Sequence, residues 1–133
     1  MKISVPSENV YTKDSNVAGA GRGVFARTDI RKGAVIESCP VIEISSHDMA
    51  ALGESILVTY FFFHGQDKEK QFLALGFGSL YNHSHAPNAM YAIHEATATI
   101  DFIAAADIVK DSEITFDYTS GNPHHTDPLW FEV

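Results

Sequence analysis

The chain has 133 residues, a formal net charge of −8 and a single cysteine, Cys39. A domain of this size buries roughly 68% of the surface that its unfolded chain exposes, so one core suffices without disulfides or a structural zinc. The lone cysteine favours a reducing, intracellular setting, and neither a signal-peptide core nor an apolar run of roughly 20 residues is present. The acidic net charge, with only nine Lys and Arg residues, argues against a nucleic-acid backbone as partner and weakly favours a basic partner.

Short runs rich in β-branched or aromatic residues, bounded by Gly, Pro, Asp or Ser, predict a mainly β domain. A short helix is predicted over residues 46–53, where a serine can cap the start and Gly53 the end. The run LVTYFFF at residues 57–63 fits either a buried strand or a helical segment. No linker or repeat divides residues 1–133, which predicts a single domain. The predicted strands cover residues 23–27, 35–44, 72–75, 88–94, 97–104 and 113–118.

The end of the chain, TSGNPHHTDPLWFEV at residues 119–133, combines chain-breaking residues with an apolar cluster around Trp130. A disordered tail rarely carries such a cluster. We therefore expect this segment to fold back onto the body. His124, His125 and Asp127 are interpreted as part of a solvated loop, with no metal site predicted.

The stretch GAGRGVF places glycines at positions 19, 21 and 23, just before a predicted strand. Glycine allows positive φ and close approach of the backbone to a ligand. The spacing does not fit the dinucleotide-binding fingerprint, and no βαβ unit follows. Taken alone, a glycine-rich turn between strands is the simpler interpretation.

The stretch NHSHAPN at residues 82–88 is too polar and too turn-prone for a plain strand. His83 and His85 are potential zinc ligands, but without a clear third ligand a metal site is disfavoured. Asn82 and Asn88 can bind a polar ligand or a neighbouring strand through their amide groups. By itself the stretch fits a structural turn as well as a ligand site.

The third motif, EITFDY at residues 113–118, ends a predicted strand on Asp117 and Tyr118. A tyrosine hydroxyl at a strand end can orient a reacting group. Most tyrosines, however, only pack and donate a hydrogen bond to a carbonyl group, and for this motif taken alone that interpretation is favoured.

The order of the three motifs closely resembles that of SET-domain protein lysine methyltransferases, in which a glycine-rich segment, NHSxxPN and a strand of the E-[IL]-T-F-D-Y type follow one another. The resemblance covers residues 18–118, and LALGFGSLYNHS is similar to the small stand-alone viral members. It implies a fold of small curved sheets with short helices and a C-terminal pseudoknot. Residues 119–133 would then cover the cofactor or the lysine channel. Because threaded topologies are rare, only the resemblance supports the pseudoknot.

The resemblance also implies S-adenosylmethionine as cofactor and a lysine side chain as methyl acceptor. Tyr118 matches the catalytic tyrosine of the family, and Tyr60 resembles a tyrosine that lines the lysine channel. By resemblance, Tyr118 and Tyr60 are the expected catalytic residues. Trp130 is expected to pack on the adenine or close the channel, the alternative being a plug at the edge of the core. The expected cofactor-binding residues are Gly21, Arg22, Gly23, Asn82, His83 and Trp130.

A lysine must lose its proton before it can accept a methyl group, and its pKa is about 10.4 in water. A narrow aromatic channel and the positive sulfonium of the cofactor both favour the neutral amine. The residues expected to line this channel are Tyr60, Tyr91, Phe116 and Tyr118. By resemblance, Phe116 favours multiple methylation, although a hydroxyl from Tyr91 could restore the restriction.

The expected substrate is a protein or peptide with a target lysine, such as a histone tail, with residues 51–71 as the best candidates for selectivity. The setting would be cytoplasmic or nuclear, or the host nucleus for a viral chain. A homodimer is left open, since small β domains rich in aromatic residues can expose apolar surface. Two alternatives are a catalytically silent SET-like module that binds a peptide or protein, and a metal-dependent hydrolase built on the histidines.

Overall fold

The computed structural model describes residues 7–65 and 70–119. Within them, one short helix, α1 (Ser46–Leu52), and two 3₁₀ helices (Ile56–Tyr60 and Glu95–Thr97) accompany nine strands. No helix among these residues has the length and apolar character needed to cross a membrane. The strands are β1 (Val10–Asp14), β2 (Arg22–Ala26), β3 (Val35–Ile44), β4 (Phe61–His64), β5 (Lys70–Ala74), β6 (Asn82–His83), β7 (Ala89–His94), β8 (Thr99–Ala104) and β9 (Glu113–Phe116).

The strands form two sheets. The four-stranded sheet has the order β1-β2-β9-β6, and β9 runs antiparallel to β2 but parallel to β6. The five-stranded sheet has the order β4-β5-β3-β8-β7 and is antiparallel throughout. The predicted mainly β fold of small curved sheets is therefore confirmed. The expected pseudoknot depends on the segment after Thr119, which lies outside the described residues.

Strand β8 shows why these sequences form sheets. Its residues alternate, so Ile100, Phe102 and Ala104 are buried while Asp101 and Ile103 are partly exposed. Period-two alternation sends successive side chains to opposite faces of a sheet. Apolar residues from both sheets join one core, in which the rings of Phe102 and Tyr81 stack with centroids 4.4 Å apart.

The prediction of a strand over residues 35–44 is confirmed as β3, and five other strands lie within two residues of their predicted ends. The ambiguous run at 57–63 contains both predicted structures, because the 3₁₀ helix ends at Tyr60 and β4 begins at Phe61. The helix cap is one residue earlier than expected, since the side chain of Ser45 accepts the N–H of Asp48. Strands β1, β4 and β6 were not predicted as such.

A buried carboxylate anchors the turn that leads into the NHS segment. Glu37, on β3, accepts hydrogen bonds from the hydroxyl of Tyr81 at 2.7 Å and from the N–H of Phe77 at 3.0 Å. Gly76 has φ +62°, and a Cβ there would collide with Oε2 of Glu37. Burial, together with the charge of Glu37, raises the pKa of Tyr81, so its hydroxyl stays a donor.

Candidate active site

Tyr118 lies two residues after the end of β9 and is held at two points. Its hydroxyl donates to the carbonyl oxygen of Tyr81 at 2.6 Å, and its backbone N–H donates to Nδ1 of His83 at 2.9 Å. Burial, with smaller effects of Tyr60 and Glu113, raises the pKa of Tyr118 to about 12. The hydroxyl is therefore protonated near neutral pH, which suits a group that orients a substrate and not a strong base.

Three of the four expected channel residues form one aromatic cluster. The ring centroid of Phe116 lies 4.9 Å from that of Tyr118 and 5.4 Å from that of Tyr91. Phe62, which sequence reasoning missed, stacks on Phe116 at 5.7 Å. Tyr60, the fourth expected residue, is 38% exposed at the end of its 3₁₀ helix, near enough to influence Tyr118 electrostatically.

The glycine-rich turn leads into β2 and the NHS segment contains β6, the two strands that flank β9. Strand β6 pairs with β9, and the side-chain amide of Asn82 donates to the carbonyl of Arg22 at 3.1 Å and to Oε2 of Glu113 at 2.9 Å. Gly21 has φ +74°, and a Cβ on it would meet no atom of residues 7–65 and 70–119 within 4 Å. The expected cofactor residues on these two segments are thus neighbours.

Gly23 has a structural reason to be glycine. It is buried in β2, and a Cβ there would collide with Oε2 of Glu113. The space that a side chain would fill is therefore already taken by a carboxylate of the protein. The missing side chain of Gly23 thus makes room for Glu113, whereas at Gly21 a Cβ would meet none of the described residues, and the expected binding of the cofactor by both glycines stays a prediction.

A chain of polar contacts links Tyr118 to two histidines and an aspartate. Because Nδ1 of His83 accepts the N–H of Tyr118, neutral His83 carries its proton on Nε2 and can donate to Nε2 of His85, 3.3 Å away. Nδ1 of His85 then faces Oδ2 of Asp117 at 3.5 Å. Burial lowers the pKa of His83, with His85 adding to the effect and Asp117 opposing it, which keeps this imidazole neutral.

The structure supplies the third potential metal ligand that the sequence did not reveal. One ligand atom each from His83, His85 and Asp117 lies within 4.8 Å of the others. Both imidazoles, however, already take part in hydrogen bonds. A metal bound to Nε2 of His83 would also require the ring proton on Nδ1, and Nδ1 already accepts the N–H of Tyr118. This network favours a role of the histidines in supporting Tyr118 over a metal centre. The absence of a metal stays a prediction.

The interpretation of Asn88 as a residue that binds a neighbouring strand is confirmed, whereas sequence reasoning missed the part that Glu113 has in holding the site together. The amide of Asn88 donates to the carbonyl of Glu113 at 2.9 Å and accepts the N–H of Thr115 at 2.9 Å, continuing the pairing of β6 with β9 through a side chain. Glu113, the first residue of EITFDY, accepts from the amide of Asn82. Burial alone would raise the pKa of Asp117, but hydrogen bonds from Thr119 and His85 outweigh it and lower the pKa. Trp130 lies outside the described residues.

Comparison with known proteins agrees with this geometry. The family described as SET domain matches residues 21–119. A histone-lysine N-methyltransferase of Schizosaccharomyces pombe, specific for H3 lysine 37, is 32% identical over 135 residues, which cover 99% of this chain and 83% of that protein. The similarity to viral members stays a prediction, since this relative is fungal.

Two solved structures show the same fold. A proposed histone methyltransferase of Plasmodium falciparum is 33% identical, with a TM-score of 0.70 and coverage of 84% of this chain and 94% of that one. Chaetomium thermophilum Polycomb Repressive Complex 2 bound to S-adenosylmethionine is 24% identical, with a TM-score of 0.65 and coverage of 92% of this chain and 16% of that one. At that identity the second likeness concerns the fold alone. With the motifs, the site geometry and these matches in agreement, the chain belongs to the SET-domain family.

Proposed function

We infer that the protein is an S-adenosylmethionine-dependent protein lysine N-methyltransferase. The observation that carries this function is the placement of Tyr118. Its backbone and hydroxyl are tied to the segment that holds Asn82 and His83, and its ring adjoins the aromatic cluster around Phe116. A tyrosine placed so between a cofactor-binding segment and an aromatic channel can orient a lysine amine toward a methyl donor.

We propose that the cofactor binds where the glycine-rich turn meets the NHS segment. S-adenosylmethionine supplies an electrophilic methyl group when bound. Both amide protons of Asn82 point to Arg22 and Glu113, and within residues 7–65 and 70–119 nothing donates to its Oδ1. That oxygen suits the ammonium group of the cofactor's methionine part. The proposed cofactor residues are Gly21, Arg22, Gly23, Asn82, His83 and Trp130.

On the lysine side, the proposed channel consists of Tyr60, Tyr91, Phe116 and Tyr118. About one lysine in a thousand is neutral near pH 7.4, and deprotonation there costs roughly 4 kcal/mol. Aromatic walls reduce this cost because they desolvate the ammonium. The hydroxyl of Tyr118 donates its hydrogen bond to the carbonyl of Tyr81. The phenolic oxygen can therefore act as an acceptor toward the neutral amine.

The number of methyl groups transferred is a finer proposal. Phe116 has no hydroxyl to hold a water against the amine, which favours more than one transfer. Tyr91 is the competing feature, since its ring centroid lies 5.4 Å from that of Phe116. Mass spectrometry of a methylated peptide should show di- or trimethyl product, and a reaction that stops at monomethyl after long incubation would contradict the proposal.

The protein acts on protein lysines, and we propose a histone tail or another basic segment as substrate, in the nucleus or elsewhere inside the cell. The formal charge of −8 supports a basic substrate. The relative that is 32% identical is described as specific for H3 lysine 37. The proposal also includes a selectivity segment at residues 51–71 and a single domain over residues 1–133. It further includes a homodimer and no direct binding of nucleic acid.

The deciding experiment incubates the purified protein with tritiated S-adenosylmethionine, core histones and lysate proteins. We expect a labelled protein band that is lost with Tyr118→Phe. Tyr11→Phe is the matched control, because it removes a tyrosine hydroxyl that donates to Asp111 at 2.8 Å, away from the proposed site. Cofactor binding by calorimetry without transfer to any substrate would favour the silent module, and labelling that survives a chelator would remove the metal-dependent hydrolase.

A separate measurement tests Trp130. If its indole packs on the adenine, Trp130→Ala weakens S-adenosylmethionine binding in calorimetry by about tenfold, since base–aromatic stacking is worth about 1–3 kcal/mol. Leu129→Ala is the matched control within the same segment. An unchanged dissociation constant with Trp130→Ala would leave the core-edge plug as its role.

A further inference from the structure

The carboxylate of Glu113 collects donors from two distant segments of the chain. The hydroxyl of Ser15 lies 2.9 Å from Oε1 and 2.8 Å from Oε2, and the N–H of Asn16 donates to Oε1 at 3.0 Å. The amide of Asn82 donates to Oε2 at 2.9 Å. One side chain at the start of β9 thus joins the loop between β1 and β2 to the NHS segment.

These contacts determine how the Asn82 amide is turned. Its nitrogen donates to both Glu113 and the carbonyl of Arg22, which places Oδ1 on the opposite side. A flipped amide would put Oδ1 against a carboxylate and a carbonyl, two acceptors with no proton to share. Glu113 therefore selects the orientation in which Asn82 offers an acceptor outward.

The same carboxylate fixes the glycine-rich turn. The N–H of Ser15 donates to the carbonyl of Gly21 at 2.7 Å, and its hydroxyl accepts the N–H of Val17 at 2.9 Å. Ser15 thus holds the turn while its hydroxyl rests on Glu113. Gly23 leaves the space that the carboxylate occupies, since a Cβ there would collide with it.

We propose that Glu113 is a positioning residue for cofactor binding. It holds the glycine-rich turn and the Asn82 amide in one arrangement, so that Oδ1 of Asn82 and the backbone at residues 21–23 face the same ligand. This inference rests on the proposed function, because it takes the ligand to be S-adenosylmethionine. It assigns the glutamate of EITFDY to the methyl donor and not to the lysine.

The test compares Glu113→Gln with the wild-type protein in calorimetry with S-adenosylmethionine and in steady-state kinetics. Glutamine keeps the size of the side chain but loses the charge, and its amide nitrogen would face groups that now donate to the carboxylate. We therefore expect the Kd and KM for S-adenosylmethionine to rise about tenfold or more. The kcat at saturating cofactor and the KM for the peptide should change less than about threefold. Asp111→Asn, on the preceding turn, is the control and should leave all four values unchanged.

The outcomes separate the two proposals. If the wild-type protein does not bind S-adenosylmethionine, the proposed function fails. Should the wild-type protein bind it and Glu113→Gln bind it equally well, or raise only the KM for the peptide, the positioning role alone is overturned. If Glu113→Gln does not fold, Ser15→Ala decides, because loss of one donor to the carboxylate should raise the Kd about twofold to fivefold, and an unchanged Kd would refute the role.

Discussion

The two sheets share one apolar core but differ in how their strands pair. In the five-stranded sheet, β8 pairs along its whole length with β7, and Phe102 and Tyr81 stack in an apolar core. In the four-stranded sheet, the pairing of β6 with β9 is limited to Asn82 with Thr115 and His83 with Phe116. Side chains extend it there. Apolar burial thus stabilises the scaffold, whereas side-chain hydrogen bonds position the candidate site, so stability and activity should respond to different substitutions.

The largest expected effect on stability is at Phe102, which is fully buried between Tyr81 and Phe116. Phe102→Ala should lower the free energy of unfolding by about 3–5 kcal/mol, because it leaves a cavity in the core. Urea titration measures this. Met90→Ala on the neighbouring β7 is the control, since Met90 is half exposed and should lose less than about 1 kcal/mol. Equal losses for both variants would refute a core centred on Phe102.

Tyr118→Phe should have the opposite profile. Loss of the hydroxyl removes the hydrogen bond to Tyr81 and the group proposed to orient the amine. We expect kcat to fall about 100-fold, which corresponds to about 2.7 kcal/mol of barrier, with a stability loss of only about 1 kcal/mol. Denaturation and single-turnover rates measured on the same preparation test this. A stability loss as large as that of Phe102→Ala would break the distinction between scaffold and site.

Glu37 is the residue through which the two regions should communicate. Tyr81 donates its hydroxyl to Glu37 and offers its carbonyl to Tyr118. Glu37→Gln places an amide donor among buried donors, which should cost about 1–3 kcal/mol of stability and also lower kcat. Glu43→Gln, an exposed change on the same strand, is the control for thermal denaturation and turnover. If Glu37→Gln lost stability with unchanged kcat, the link to Tyr118 would be wrong.

The smallest expected effect is a pH dependence centred on His83. Its folded-state pKa is lowered, chiefly by burial, so the unfolded chain binds a proton at higher pH than the folded one. The stability that neutral His83 contributes is complete above the unfolded pKa of about 6.5 and is lost as the pH falls below it. Wild-type stability should therefore fall more steeply from pH 7.5 to 5.5 than that of His83→Asn, which keeps an acceptor for Tyr118.

Urea titrations at several pH values measure that slope. His47→Gln is the matched control, because His47 is exposed on α1 and its removal should leave the slope of the wild-type protein. A His83→Asn variant with the wild-type slope would show that His83 does not titrate differently in the folded and unfolded states.

Local patterns in the sequence were enough to predict much of the fold and the three motifs. Runs of β-branched and aromatic residues bounded by Gly, Pro, Asp or Ser identified β3 and β8, because such side chains favour the extended backbone of a strand. The two-residue strand β6 could not be predicted in this way, since it exists only through its pairing with β9. The run at residues 57–63 could be predicted only as a strand or a helical segment, and not as a 3₁₀ helix followed by a strand, because a short apolar run has no distinctive period.

The sequence by itself determined the mainly β class, the order of the motifs and, through that order, the family and the identity of Tyr118 as the expected catalytic residue. Only the tertiary structure decided which contacts hold Tyr118 and the segments around it. Glu37 lies 44 residues from Tyr81, and Ser15 lies 98 residues from Glu113, yet each pair shares a hydrogen bond. Such contacts leave no periodic trace in a sequence, because they depend on strands that pair across the whole chain.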